Sequence, residues 1–186
     1  MIARDHAKRC VPMQFKLTSL VALATFTGNA LAITYRGYAS SVSCSGSSFY
    51  CSDGGAVCCS LPTGYGLSVA FENLPAGTQG QGYTGGSCSN FLFDLYGPGT
   101  KCWNGGGSKR ATNINWFHSP YGRSIAISDR ADEDGSNCTE PVAFEYETPE
   151  GTSRIIKVPT EKGSGEKVAA LYLEKNFAGL AAYEDL

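Results

Sequence analysis

The chain has 186 residues, of which 23 are glycine and 8 are cysteine, and only 17% carry a charge, for a formal net charge of -2. Globular domains average about 25% charged residues and about 7% glycine, so this chain is rich in glycine and poor in charge. That balance excludes a charged disordered tail, and it gives no electrostatic reason to expect nucleic-acid binding. The length suits one domain or two small ones.

Residues 1–32 carry the three parts of a secretory signal peptide. Lys16 precedes an apolar run over residues 17–26, and the segment ends in Ala30-Leu31-Ala32. A membrane span needs about 20 predominantly apolar residues, so this shorter run predicts export and cleavage after Ala32. Translation from Met1 or from Met13 fits the pattern equally. We therefore expect a secreted, extracellular product with no membrane span.

The mature chain, residues 33–186, has a net charge of -5 and seven of the eight cysteines. Outside the cell cysteines form disulfides, whereas a zinc site needs closely spaced cysteine or histidine pairs, and His118 is the one histidine left. The sequence predicts no metal and no cofactor. Six cysteines in the first half are the disulfide candidates: Cys44, Cys51, Cys58, Cys59, Cys88 and Cys102. Cys138 stands apart and is predicted to be free or intermolecular.

Cys58 and Cys59 are adjacent, and adjacent cysteines rarely bond each other because of the Cα separation a bridge requires. They should therefore have different partners. The pattern C-x6-C-x6-C-C from Cys44 resembles the start of inhibitor cystine-knot peptides, which implies the pairs Cys44–Cys59, Cys51–Cys88 and Cys58–Cys102. The later gaps of 28 and 13 residues depart from that family. Cys-Cys-Ser also occurs in hevein-like chitin-binding modules, whose remaining spacing this chain lacks.

Composition changes near residue 110. Residues 33–110 carry 16 glycines and six cysteines, and residues 111–186 carry 6 glycines and one cysteine. We expect a glycine- and cysteine-rich segment and a hairpin-plus-helix segment, packed together as one domain. Lys109-Arg110 ends a glycine stretch and resembles the dibasic sites of kexin-type processing enzymes; a solvated turn is the alternative.

Alternating apolar residues predict strands around Leu67–Phe71, Phe91–Leu95 and Ile125–Ile127. A hairpin is predicted from residues 142–147 and 154–158, with a turn formed by Pro149 and Gly151. Ser164 is the expected cap of a helix with Val168, Leu171, Tyr172 and Lys175 at helical spacing, and a short helical turn should follow over residues 176–180. The fold class is mainly β (α+β): a small disulfide-stabilised antiparallel sheet or sandwich with a C-terminal helix.

Hydrolase and phosphate-binding motifs are absent from the sequence, so no catalytic residue is assigned. His118 lies in an aromatic stretch and lacks a sequence-evident partner. The acidic residues 129–134 do not match the calcium-loop template, so a solvated loop is expected. Trp103 and Trp116 are candidate ligand-contact aromatics, with core packing as the alternative. Asn137-Cys138-Thr139 is an N-glycosylation sequon.

The signal, the cysteine framework, the glycine-rich strands and the dibasic site together resemble the small secreted cysteine-rich proteins of filamentous fungi. That resemblance implies a non-enzymatic, effector- or toxin-like protein that binds a host or competitor component. A carbohydrate- or cell-wall-binding protein and a divergent extracellular hydrolase are the alternatives. The expected partner is therefore an extracellular protein or polysaccharide.

Overall fold

The computed structural model describes residues 32–118 and 138–186. The strands are β1 Ile33–Tyr38, β2 Ser48–Asp53, β3 Cys58–Ser60, β4 Ser68–Leu74, β5 Thr78–Thr84, β6 Asn90–Tyr96, β7 Gly99–Asn104, β8 Asn113–His118, β9 Cys138–Thr139, β10 Ala143–Glu147 and β11 Ser153–Lys157. A 3-10 turn spans Gly86–Cys88, and two helices follow the strands: α1 Ser164–Leu173 and α2 Phe177–Leu180. The prediction of a mainly β chain with a C-terminal helix is confirmed. The signal peptide and the strand expected at Ile125–Ile127 lie outside the described residues.

The strands form two sheets that enclose one core. The six-stranded sheet has the order β11-β10-β2-β1-β4-β7, and its paired strands are antiparallel. The five-stranded sheet has the order β6-β5-β8-β3-β9 and is mixed, because β3 and β9 run parallel. Strands from both sides of residue 110 contribute to both sheets: β8 pairs with β3 and β5, and β10 pairs with β2.

Glycines on β5 bring the two sheets close together. Gly80 and Gly82 occupy two inward positions of this strand, and the rings of Phe71 and Phe93 fill the space that their side chains would take. Phe71 lies on the opposite sheet and is fully buried. Two glycines in the strand interior thus let large rings fill the core, which is one use of glycine in a strand.

The predicted hairpin is confirmed, and it connects the helices to the core. Phe144 and Tyr146 are buried on β10, whereas Val142 lies before the strand and is exposed. Gly151 closes the turn with a φ of 78° and donates its amide hydrogen bond to Thr148. Aromatic contacts then join the hairpin to the helices, with ring centroids 5.3 Å apart for Phe144 and Tyr172 and 6.2 Å apart for Tyr146 and Phe177.

The start of α1 differs from the sequence prediction. Ser164 is the first helical residue rather than the cap, and Gly163 stands at the cap position without a side-chain hydrogen bond. Glu140, distant in sequence, accepts hydrogen bonds from the amides of Gly163 and Gly165 instead. A carboxylate at a helix N-terminus satisfies free amides and complements the helix dipole, so the cap is supplied by tertiary structure.

Four side chains on the outer face of the six-stranded sheet form a charge network across its central strands. The Arg36 guanidinium on β1 pairs with Glu72 on β4 and with Glu145 on β10, the latter at 2.7 Å. Its Cζ lies 3.9 Å from the ring centroid of Tyr50, whose hydroxyl donates to Glu145. Burial raises the pKa of Glu145, but hydrogen bonds from Tyr50 and Ser153 and the charge of Arg36 outweigh it, so the pKa is lowered overall.

We expect Gly80→Ala to destabilise the fold. The added Cβ would lie 2.5 Å from the Phe71 ring, and overpacking of a core costs about 1–3 kcal/mol. Urea unfolding measures the loss. Gly54→Ala is the matched control, because a Cβ at Gly54 meets no atom within 4 Å. Equal stabilities for the two variants would contradict this account of the core.

We also expect the chain to lose stability in acid partly through Glu145. Because the folded pKa of Glu145 lies below the ordinary value of 4.5, its contribution is fully present above that pH and is lost as the pH falls through the folded pKa. Unfolding free energy measured between pH 6 and about 2 should fall less steeply in Glu145→Gln. Glu150→Gln, at the exposed hairpin turn, is the control and should keep the wild-type slope.

Candidate functional site

A cleft of about 590 Å³ opens at one end of the sandwich, where β2, β3 and β9 meet the segment before α1. Ligand pockets typically have volumes of roughly 300–1,000 Å³. Hydroxyl and charged side chains predominate in the lining, which consists of Ser52, Asp53, Val57, Ser60, Cys138, Thr139, Glu140, Val142, Thr160 and Lys162. This is the candidate site.

The cleft depends on two segments that the parallel pairing of β3 and β9 holds side by side. Cys58 is paired with Cys138 and Cys59 with Thr139 in that ladder. Glu140 follows directly and caps α1, which fixes the position of the loop that carries Thr160 and Lys162. The wall of the cleft is thus joined to the helix through one carboxylate.

Both carboxylates of the cleft are already engaged by the fold. The two oxygens of Glu140 accept from Gly163 and Gly165 at 2.9 and 3.2 Å. Asp53 accepts from the Gly55 amide at 2.8 Å and from the Tyr35 hydroxyl. Burial, and then the charge of Asp53, raises the pKa of Tyr35, so this phenol stays protonated and continues to donate. The carboxylates therefore act as structural acceptors in the cleft wall.

Three disulfides join the six cysteines of the first half, and their pairing differs from the one that the knot resemblance implied. The bridges are Cys44–Cys102, Cys51–Cys59 and Cys58–Cys88. The cystine-knot pairing is therefore wrong. The expectation that the adjacent cysteines have different partners is confirmed, because successive residues of a strand point to opposite faces. Within the described residues, Cys138 is the one free cysteine.

The two tryptophans proposed as ligand contacts lie in different environments. Trp116 is fully buried, and its indole donates to the backbone oxygen of Asp53. It has no face to offer a sugar, because core packing uses its whole surface. Trp103 is half-buried and stacks on Phe93 with ring centroids 4.1 Å apart. The pair therefore does not form one aromatic platform.

His118 is exposed at the end of β8 and packs edge-on against Trp116. No group of three or more potential metal-ligating side chains occurs within residues 32–118 and 138–186. In the same ranges, no helix is long and apolar enough to cross a bilayer. The acidic residues 129–134 and the sequon residue Asn137 lie outside the described residues.

The dibasic pair lies on the surface, yet backbone contacts hold the segment in place. Arg110 donates to the carbonyl oxygens of Ala39, at 2.9 Å, and of Gly64. The next residue, Ala111, is fully buried, and its amide bonds to Gly66. The peptide bond that a processing enzyme would cut is thus anchored on both sides.

Sequence reasoning did not find the cleft. Asp53, Glu140 and Lys162 belong to no motif and are separated by long stretches of chain. Their proximity follows from the parallel pairing of the two-residue strand β9 with β3, and such a short strand has no periodicity to detect. Among the lining residues, Cys138 is the one for which the sequence predicts a free or intermolecular thiol.

A family model described as the ARB_05566 N-terminal domain matches residues 34–142, more than half of the chain. The match ends one residue before β10, so the hairpin and both helices lie beyond it. Neither the curated proteins nor the solved structures include a match to this chain.

We expect the folded chain to resist cleavage after Arg110. A protease must open the segment that carries Lys109 and Ala111, and that opening breaks the contacts to Ala39, Gly64 and Gly66. The measurement is digestion with a kexin-type protease, followed by intact-mass analysis, on folded protein and on reduced, unfolded protein. Only the unfolded sample should release the fragment ending at Arg110. Equal cleavage rates in both samples would show that the loop is open in the folded state.

Proposed function

The chain belongs to the ARB_05566 N-terminal domain family, a fungal protein family, and we propose that it is a secreted, non-enzymatic binding protein whose ligand occupies the cleft. The function is effector- or toxin-like: the bound component is an extracellular protein of a host or a competitor. Three disulfides are compatible with an oxidising, extracellular environment. The resemblance to small secreted cysteine-rich fungal proteins also supports secretion.

One observation carries the proposal: the cleft combines a ligand-sized volume with carboxylates that the fold itself occupies. Catalytic acids and bases need a proton-transfer position within hydrogen-bond reach of substrate. Asp53 and Glu140 instead use all four oxygens on Tyr35, Gly55, Gly163 and Gly165. The other groups that line the cleft are hydroxyls, one amine, the Cys138 sulfur and the apolar Val57 and Val142.

Those groups favour a protein segment with both polar and apolar side chains as the ligand. Ser52, Ser60 and Thr160 can donate and accept hydrogen bonds, and Lys162 supplies a positive charge at the exposed rim. A carboxylate on the partner would pair with Lys162 and add specificity more than affinity. Val142, exposed beside them, offers apolar contact.

The experiment compares two tryptophan variants in capture of extracellular proteins from a host or competitor culture. Thr160→Trp fills the cleft, and Glu150→Trp places the same side chain on the exposed hairpin turn. We expect Thr160→Trp to weaken binding of the captured partner at least tenfold, a loss of about 1.4 kcal/mol in binding free energy. The circular dichroism spectrum should stay unchanged, since the fold is kept. Glu150→Trp should bind as wild type does. Equal binding by both variants would place the ligand elsewhere.

The two alternatives give different results in direct assays. A carbohydrate-binding protein would sediment with chitin, glucan or cellulose, and Trp103→Ala would release it. A hydrolase would act on a polysaccharide or peptide library and lose activity with His118→Ala or Asp53→Asn. Either positive result would overturn the proposal.

A further inference from the structure

Three sulfur atoms converge at one wall of the cleft. Cys58 is bridged to Cys88, and the Cys138 thiol donates to the Cys58 sulfur at a Sγ–Sγ distance of 2.8 Å. Among the described residues the other two bridges, Cys44–Cys102 and Cys51–Cys59, have no free thiol beside them, since Cys138 is the one free cysteine there.

The backbone also places both partners within bridging range of Cys58. The Cα atoms of Cys58 and Cys88 are 6.0 Å apart. Cys138 is the ladder partner of Cys58 on the neighbouring strand, and adjacent strands lie about 4.8 Å apart. Disulfides span Cα separations of about 4.4–6.8 Å, so either pairing fits without moving a strand.

A side chain holds the third sulfur in position. Asn113, buried on β8, donates through Nδ2 to the Cys138 sulfur at 3.6 Å and to the Ser60 hydroxyl at 2.9 Å. The amide therefore keeps Cys138 at the junction of β3, β8 and β9, next to the bridge. This contact is independent of the bridge itself.

We propose that Cys58, Cys88 and Cys138 form a thiol–disulfide exchange site, with Cys58 as the sulfur shared by two alternative bridges. The Cys138 thiolate attacks the Cys58 sulfur, the Cys58–Cys138 bond forms, and the Cys58–Cys88 bond breaks. Cys88 leaves as a thiolate and takes the proton that Cys138 released. One disulfide and one thiol are present before and after, so the step needs no oxidant or reductant.

The exchange changes both the surface of the cleft and the connectivity of the chain. Cys138 is half-buried and lines the cleft, whereas Cys88 is buried. The Cys58–Cys88 state therefore presents a thiol to the cleft, and the Cys58–Cys138 state withdraws it. The second state also bridges the chain across residue 110, which none of the three bridges present does.

The test is peptide mapping of the mature protein, residues 33–186, under non-reducing conditions. The protein is incubated at pH 8 with and without reduced glutathione, quenched in acid, and labelled with N-ethylmaleimide. We expect incubation at pH 8 to give two bridged peptides, one joining the Cys58-Cys59 peptide to Cys88 and the other joining it to Cys138, in a ratio that glutathione, as an exchange catalyst, establishes faster without changing it. Labelling should be divided in the same ratio, on Cys138 in the first form and on Cys88 in the second. The Cys44–Cys102 bridge serves as the internal control and should remain constant.

Two variants isolate the alternative states. Cys138→Ser should retain the Cys58–Cys88 bridge and lose all labelling. Cys88→Ser should form the Cys58–Cys138 bridge and likewise lose all labelling. Folded Cys88→Ser with both Cys58 and Cys138 labelled would overturn the proposal. So would wild-type protein in which Cys88 is still the one partner of Cys58 after incubation with glutathione, a result that decides the question even where Cys88→Ser does not fold.

Discussion

The alternation of side chains along β3 is the constraint on which the rest of the structure depends. Cys58 and Cys59 are adjacent, so one must face the core and the other must face away. Cys59 points inward and bridges to Cys51 on the opposite sheet, where both sulfurs are buried. Cys58 points outward and meets Cys88 and Cys138. A strand of three residues thereby links the two sheets, the 3-10 turn and the cleft.

The core between the two sheets depends on two positions of β5 that carry no side chain. Gly80 and Gly82 leave room on β5 for Phe71 and Phe93, and Trp116 fills the space beside them without exposure. Large rings packed against bare backbone fill the interior closely. The glycine content that distinguishes the sequence is therefore partly a packing requirement of the five-stranded sheet.

The cleft illustrates how the same polar groups can be structural and still shape a binding surface. Glu140 caps a helix whose own sequence supplies no cap, and Asp53 ties Tyr35 to the turn at Gly55. The rest of the lining consists of hydroxyls, Lys162, two valines and one sulfur. Such a lining is consistent with the proposed recognition of another molecule, and the Cys58–Cys88 bridge lies beside it through the contact of Cys138 with Cys58.

Local signals in the sequence were sufficient to predict the mainly β class, the 142–158 hairpin, the two C-terminal helices and the separate partners of Cys58 and Cys59. These features could be predicted because alternation, turn residues and strand geometry act between residues that are close in the chain. Only tertiary structure decided the disulfide pairing, the Glu140 cap, the burial of Trp116 and the cleft. Each of these joins residues far apart in the chain: Glu140 reaches Gly163, and Cys138 reaches Cys58 across 80 positions. No local pattern encodes such contacts, since they exist only once both sheets have formed around the same core.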